Sequence, residues 1–356
     1  MGTTGTAVVE AVDGRPAELP GDDDVLHALL GRRRAGSRDD GNRIALVVNG
    51  GGMRGAYAGG MVHALEQAGL RDAFDVVYGS SAGAFVGIGL LLGNGRGAAH
   101  IFFEDMASRS FIDARRMGAK RPMVSLDHLM DHILVKSKPL PWEQLRDSPI
   151  PVKVIATAAD DLTAHVLQPR TVEEWQLAMR ATSTIPVLAG PPVRLAGRDW
   201  IDGSVAEPLP VLRALADGAT HVLALVNRTV PDLRRPNPVG RQARWARSLD
   251  RLAPGLGSMA QESHRLRPEM AVLDSAEHPS RFNAHLFAVT PRVDAGVRGL
   301  TTDPVRVRAA ADSGFAAMTA VLRRAAEGST SAGIQSLEPA GARTSMPSRM
   351  RASPNS

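Results

Sequence analysis

Apolar residues in this chain gather in short runs that end at glycine turns, and the runs alternate between two kinds. Arg43-Ile44-Ala45-Leu46-Val47-Val48 is almost continuously apolar and stops at Asn49-Gly50, which predicts a strand buried on both faces. Residues 55–68 then carry Met61, Leu65 and Ala68 at helical spacing, with a stop at Gly69. Asp75-Val76-Val77-Tyr78 predicts a second buried strand, which runs into Gly79-Ser80-Ser81-Ala82-Gly83 and a buried helix over 84–92. Further strands are predicted over 152–158, 220–226 and 285–290, and further helices over 171–180, 207–216 and 305–324. Such alternation implies an α/β fold, a mainly parallel central sheet flanked by helices with its site at the carboxyl ends of the strands.

Residues 228–280 break the alternation, being rich in Arg and helix formers without a strand, and are predicted to be a helical insertion. Arg241, Arg244, Trp245, Arg247, Leu249, Leu252 and Met259 would form amphipathic helices there, either as a solvated cap or as a lipid-facing or substrate-gating surface. Residues 1–40 mix Gly, Pro, Asp and Arg around one short helical candidate, and residues 327–356 lack apolar periodicity. The expectation is a mobile amino-terminal segment, a folded domain over 41–326 and a disordered tail.

Composition narrows the chemistry. The 356 residues include no cysteine, which excludes a disulfide framework, a thiolate nucleophile and a cysteine metal site, and leaves serine as the strong nucleophile. The 42 basic residues against 37 acidic ones leave a net charge of +5, too small to call for nucleic acid and compatible with an anionic membrane surface. The longest apolar run, 82–92, is far short of the ~20 residues that cross a bilayer. No apolar leader follows the start, although Met1-Gly2-Thr3-Thr4-Gly5-Thr6 loosely fits a myristoylation pattern. A cytoplasmic protein is expected, with peripheral membrane contact allowed. No pattern specifies an oligomeric state.

Of the 35 glycines, 14 fall between Gly50 and Gly97, and two turns that some of them form matter. Gly79-Ser80-Ser81-Ala82-Gly83 is a G-x-S-x-G match between a predicted strand and a predicted helix. A serine on so sharp a turn needs small neighbours, here Gly79 and Gly83, and the following helix points free N–H groups and a positive dipole at whatever Ser81 attacks. Asn49-Gly50-Gly51-Gly52-Met53-Arg54-Gly55 admits two readings. It contains G-x-G-x-x-G, so a dinucleotide site must be weighed; alternatively, consecutive glycines let backbone N–H groups converge as an oxyanion hole, with Arg54 adding positive charge. Trp200-Ile201-Asp202-Gly203-Ser204 follows a predicted hairpin and places Asp202 at a β tip, in a pair that is commonly only a turn. His128 and His132 lie four apart beside Asp127 and Asp131 without a further ligand in pattern, so no metal is expected.

The three blocks Gly-Gly-Gly-Met-Arg-Gly, Gly-Ser-Ser-Ala-Gly and Asp-Gly-Ser together resemble the patatin-like phospholipase family, over about 42–226. The resemblance implies a patatin-like three-layer fold with a helical carboxyl-terminal part. It implies a Ser81–Asp202 dyad, an oxyanion loop of Gly50, Gly51, Gly52 and Arg54, a dyad turn at Gly203 and Ser204, a lipid or other ester substrate, and no cofactor. Asn49 stands where that family often has Asp, and Ser204 where it usually has Gly or Ala. The expected chemistry is attack of Ser81 on a carboxylic ester, with Asp202 as base in a sheltered position that raises its pKa. Two rivals remain at this point. One is a Ser-His-Asp hydrolase using His264, His278 or His285; the other is a nucleotide- or lipid-binding regulatory protein using Gly50 to Gly55.

Overall fold

The computed structural model describes residues 19–235, 247, 249–250, 255–258, 266–275 and 283–335. Eight strands form one sheet: β1 (Ile44–Val48), β2 (Val76–Ser80), β3 (Val152–Ala158), β4 (Ala164–Leu167), β5 (Val193–Leu195), β6 (Arg198–Asp202), β7 (His221–Leu225) and β8 (His285–Val289). Their order is β5-β6-β3-β2-β1-β7-β8, with β4 also paired to β3. The run β3-β2-β1-β7-β8 is parallel, while β4, β6 and β5 are antiparallel additions.

Every residue of β1 is buried, as its unbroken apolar run requires. Ile44, Leu46 and Val48 face one core and Ala45 and Val47 the other, because side chains alternate across a strand. The first core is covered by α1 (Asp24–Ala35), α2 (Gly55–Gln67), α3 (Ala82–Leu91), α4 (Gly95–Ile101), α5 (Trp142–Arg146), α6 (Val172–Thr182) and the long α10 (Pro304–Gln335). The second lies under α7 (Val211–Ala216), α8 (Val230–Arg234) and α9 (Arg267–Leu273). Helices α2 and α10 cross closely because glycines sit at the crossing. A Cβ on Gly60 would meet the carbonyl of Ala311, and one on Gly314 that of Tyr57.

Three boundaries differ from the sequence expectation. Residues 19–40 are packed: Val25, Leu26, Leu29 and Leu30 are buried, and the buried Arg32 donates to Asp40 (2.8 Å), Asp75 (2.7 Å) and the carbonyl of Ala73 (2.8 Å). Composition hides this, since the segment holds only five large apolar residues and an arginine that finds its partners across the fold. The last helix continues through Gln335, beyond the tail boundary at 327. The predicted helix over 207–216 starts at Val211, because Pro208 and Pro210 bar an earlier start. In the insertion, α8 and α9 are helical, whereas Arg241, Arg244, Trp245, Leu252 and Met259 lie outside the described residues. Residues 1–18 and 336–356 lie outside them too. No helix among the described residues is long and apolar enough to cross a membrane.

Candidate active site

The topology itself brings Ser81 and Asp202 together. Strand β4 occupies one edge of β3, so β2 and β6 share the other, β2 pairing with 152–155 and β6 with 156–158. The two run in opposite directions and meet head to head: β2 ends with Ser80 opposite Ile155, and β6 ends with Asp202 opposite Ala156. Ser81 is therefore delivered beside Asp202, and its Oγ donates a 2.7 Å hydrogen bond to Oδ2.

Ser81 holds φ 52° and ψ −128°, a region that costs a non-glycine residue strain of order 1–3 kcal/mol and needs its surroundings to impose it. They do. A Cβ on Gly79 would come within 2.6 Å of the Ala84 backbone, and one on Gly83 would run into the Val48 carbonyl. The Ser81 N–H donates to Thr182 Oγ1 (2.8 Å), whose hydroxyl donates in turn to the Ile155 carbonyl. Asp202 is equally constrained. Its N–H donates to the Thr184 carbonyl (2.9 Å), its carbonyl accepts from Thr157 Oγ1 (2.9 Å) and its Oδ1 accepts the Ser204 N–H (2.7 Å). Gly203 is packed against the Ile155 carbonyl, where a Cβ has no room. Both side chains are buried, Ser81 at 4% and Asp202 at 3% exposure. Burial disfavours the carboxylate and raises the Asp202 pKa to about 6, against the lowering effect of the bonds from Ser81 and Ser204.

The glycine loop differentiates its members. The Gly50 N–H donates to the Pro208 carbonyl (2.8 Å) and so is not available to a ligand. Gly51 (φ 141°) and Gly52 (φ 60°) take conformations that side chains rarely adopt, and their N–H groups have no acceptor among the described residues. Gly52 lines the same cavity as Ser81. Arg54, grouped with the loop from the sequence, does not line that cavity. Its buried guanidinium feels the carboxylates of Asp232 and Asp294 and the cation of Arg298, and burial lowers its pKa. Ser204 fills the space beside Gly50, and its Oγ is buried without a hydrogen-bond partner among the described residues.

The cavity has a volume of about 650 Å³, well inside the range of small-molecule sites. Phe85, Phe102, Met106, Phe111, Leu129 and Ile185 are among its apolar walls, and His100, Glu104 and Lys138 supply polar groups. Lys138 Nζ is held by Glu104 and Asp105, each at 2.6 Å. Much of this wall comes from 102–141, including the π-helical segment His128–Ser137, for which no strong motif exists in the sequence. In that segment the His128 and His132 rings stack, and Asp127 and Asp131 are engaged by Arg180. Asn227 also escaped the sequence reading. Its Nδ2 donates to the carbonyls of Asn49 (3.1 Å) and Gly50 (2.5 Å). Its one legible signal is its place just past an apolar strand.

One rival partner of Ser81, His285, lies apart from it. His285 begins β8 and pairs in register with His221, which pairs with Ile44 at the start of β1. It sits at the opposite end of the strands from the serine turn, about six residues of strand or ~20 Å away along them. There it bonds Asp22 Oδ2 at 2.7 Å. His264 and His278 lie outside the described residues.

A mainly parallel sheet whose first two strands end in a glycine loop and a strained serine turn, flanked by helices on both faces, defines a three-layer α/β protein. Residues 46–215 match the model of the patatin-like phospholipase family. The match spans a little under half of the chain and includes both the glycine loop and the serine turn. The protein YjjU of Escherichia coli (strain K12), itself uncharacterised, is 29% identical over 213 residues, 59% of this chain. Only 57% of that relative's length is spanned. The crystal structure of VipD from Legionella pneumophila superposes with a TM-score of 0.39 and 13% identity, over 80% of this chain and 67% of that one.

Proposed function

We propose that this chain is a serine lipid acyl hydrolase, of phospholipase A or esterase type, that cleaves carboxylic esters through an acyl-enzyme on Ser81. The observation that carries the reading is the buried 2.7 Å hydrogen bond between Ser81 and Asp202 beside an apolar cavity of about 650 Å³. As Ser81 Oγ bonds to the ester carbonyl carbon, its proton passes to Asp202 Oδ2. A pKa near 6 leaves Asp202 ionised at neutral pH yet more basic than an ordinary aspartate, which suits a general base. Negative charge develops on the carbonyl oxygen, where the N–H groups of Gly51 and Gly52 are the donors to meet it. Collapse of the tetrahedral species breaks the ester C–O bond, and protonated Asp202 returns the proton to the leaving alcohol. Water, deprotonated by Asp202, then releases the acid and restores Ser81.

The apolar wall suits an acyl chain, which assigns the protein to lipid breakdown. Substrate drawn from a membrane implies peripheral contact with its surface. A fluorophosphonate probe tests the reading: it should label the wild type on Ser81 and leave Ser81→Ala unlabelled. A folded wild type that resists the probe and hydrolyses no acyl ester would count against hydrolysis and in favour of a binding role.

A further inference from the structure

Next to the Ser81 cavity lies a second apolar groove, of about 650 Å³, lined by Met117, Pro122, Val187, Pro191, Ile201 and Leu256. The two spaces are separated by shared walls. Phe111 and Val124 face the Ser81 cavity while the intervening Met117 and Pro122 face the groove, and Ile185 faces the cavity while Val187 faces the groove. The walls are tied together where the Val124 N–H donates to the Leu188 carbonyl (2.8 Å).

Three observations bear on what the groove takes. Residues 114–122 hold four cations and no acid. Arg115 is paired with Asp113 (2.8 Å) and Arg116 turns to the carbonyls of Arg109 (2.9 Å) and Ser110 (2.7 Å), but the side chains of Lys120 and Arg121, exposed and lining the groove, have no hydrogen-bond or ionic partner among the described residues. Met117 and Val187 are large hydrophobic residues left 45% and 41% exposed at the same place. Val187 moreover holds φ 69°, an unfavourable angle for a β-branched residue of the kind that gathers at ligand clamps.

An apolar groove with two unneutralised cations at its exposed margin is complementary to a single amphiphile that carries an anionic head. We propose that this groove binds a long-chain fatty acid, with its chain on Met117 and Val187 and its carboxylate on Lys120 and Arg121. The hydrolase reading enters only as the source of that ligand, since ester cleavage at Ser81 releases such an acid. The groove is distinct from the cavity that holds the ester.

Calorimetric titration of Ser81→Ala with laurate tests the assignment, alongside the same protein carrying Lys120→Glu and Arg121→Glu and, separately, Met117→Glu. All three added substitutions fall on exposed side chains. The expected result is a laurate-binding event that the charge reversal weakens at least tenfold, that Met117→Glu also weakens, and that dodecyltrimethylammonium does not reproduce. Laurate binding unchanged in both variants, or equal binding of the cationic amphiphile, overturns the proposal. Failure of the hydrolase reading would show elsewhere, as absent fluorophosphonate labelling of Ser81, and would leave this titration unaffected.

Discussion

Asn227 clamps the Gly50 carbonyl from the end of β7, donating its side-chain amide across 2.5 Å while the same Nδ2 reaches the Asn49 carbonyl at 3.1 Å. Asn49 in turn donates to the Pro208 carbonyl (2.9 Å), so the glycine loop is held from both flanks. Gly51 and Gly52, whose N–H groups have no acceptor among the described residues, thus sit in a loop fixed on both sides. Such preorganisation is what the proposed oxyanion role would require of the loop.

Asn227→Ala should loosen the loop without touching Ser81 or Asp202. A single oxyanion donor is typically worth about 10² to 10³ in rate, so a misaligned loop should lower kcat by roughly 10- to 100-fold. KM should move much less. Steady-state kinetics on a short-chain p-nitrophenyl ester reads this, and a wild-type kcat would show that the clamp is irrelevant to turnover.

Asp202 links activity and stability with opposite signs. Its carboxyl titrates near 6 in the fold against an ordinary 3.8, so the native state binds more protons than the unfolded chain between those values. Stability contributed by the neutral form is complete below about pH 4 and is lost as pH rises to about 6; above that the buried charge costs up to about 3 kcal/mol. Asp202→Asn should therefore raise stability at pH 8 by about 1–3 kcal/mol in urea unfolding while lowering kcat at least about 10³-fold. For the wild type, kcat/KM should climb with pH through about 6 and then level off. Retained turnover in the Asn variant would remove Asp202 from the mechanism.

The cavity walls predict chain-length selection. Ile185→Trp narrows the space beside Ser81, and should leave acetate ester hydrolysis within about threefold while reducing kcat/KM for decanoate esters about tenfold or more, since each excluded methylene forfeits roughly 0.8 kcal/mol of burial. Parallel assays across acyl lengths give the answer; equal losses on both esters would mean that the acyl chain lies elsewhere.

His285 provides a control on the charge-relay alternative. It bonds Asp22 and stacks on His221 at the amino-terminal edge of the sheet, so His285→Ala should keep kcat within about twofold. A loss comparable to that of Ser81→Ala would reinstate a histidine base.

Local pattern carried a good deal. The apolar runs at 44–48 and 76–78, each followed by glycine and then helical periodicity, marked two strand-turn-helix units because a doubly buried strand and a helix have different hydrophobic periods. Gly79 and Gly83 marked the strained serine because only a residue without Cβ fits against Ala84 and the Val48 carbonyl. By contrast, the packing of residues 19–40 was hidden, since Arg32 draws its partners from Ala73 and Asp75 and no local pattern encodes that. The surroundings of Arg54 were hidden for the same reason: Asp232 and Asp294, whose charges it feels, lie about 180 and 240 positions away in sequence.

By itself, then, the sequence determined the two strand-turn-helix units at 44–68 and 76–92, and which serine stands on a turn that needs glycine two positions to either side, since these follow from side-chain size and period within a few residues. Only the tertiary structure decided that β6 meets β2 head to head on one edge of β3, so that a carboxylate 121 positions from the serine lies 2.7 Å from its hydroxyl, buried deeply enough to raise its pKa. The distance between the two side chains and the desolvation that raises the Asp202 pKa are properties of the assembled sheet, and no local pattern contains them.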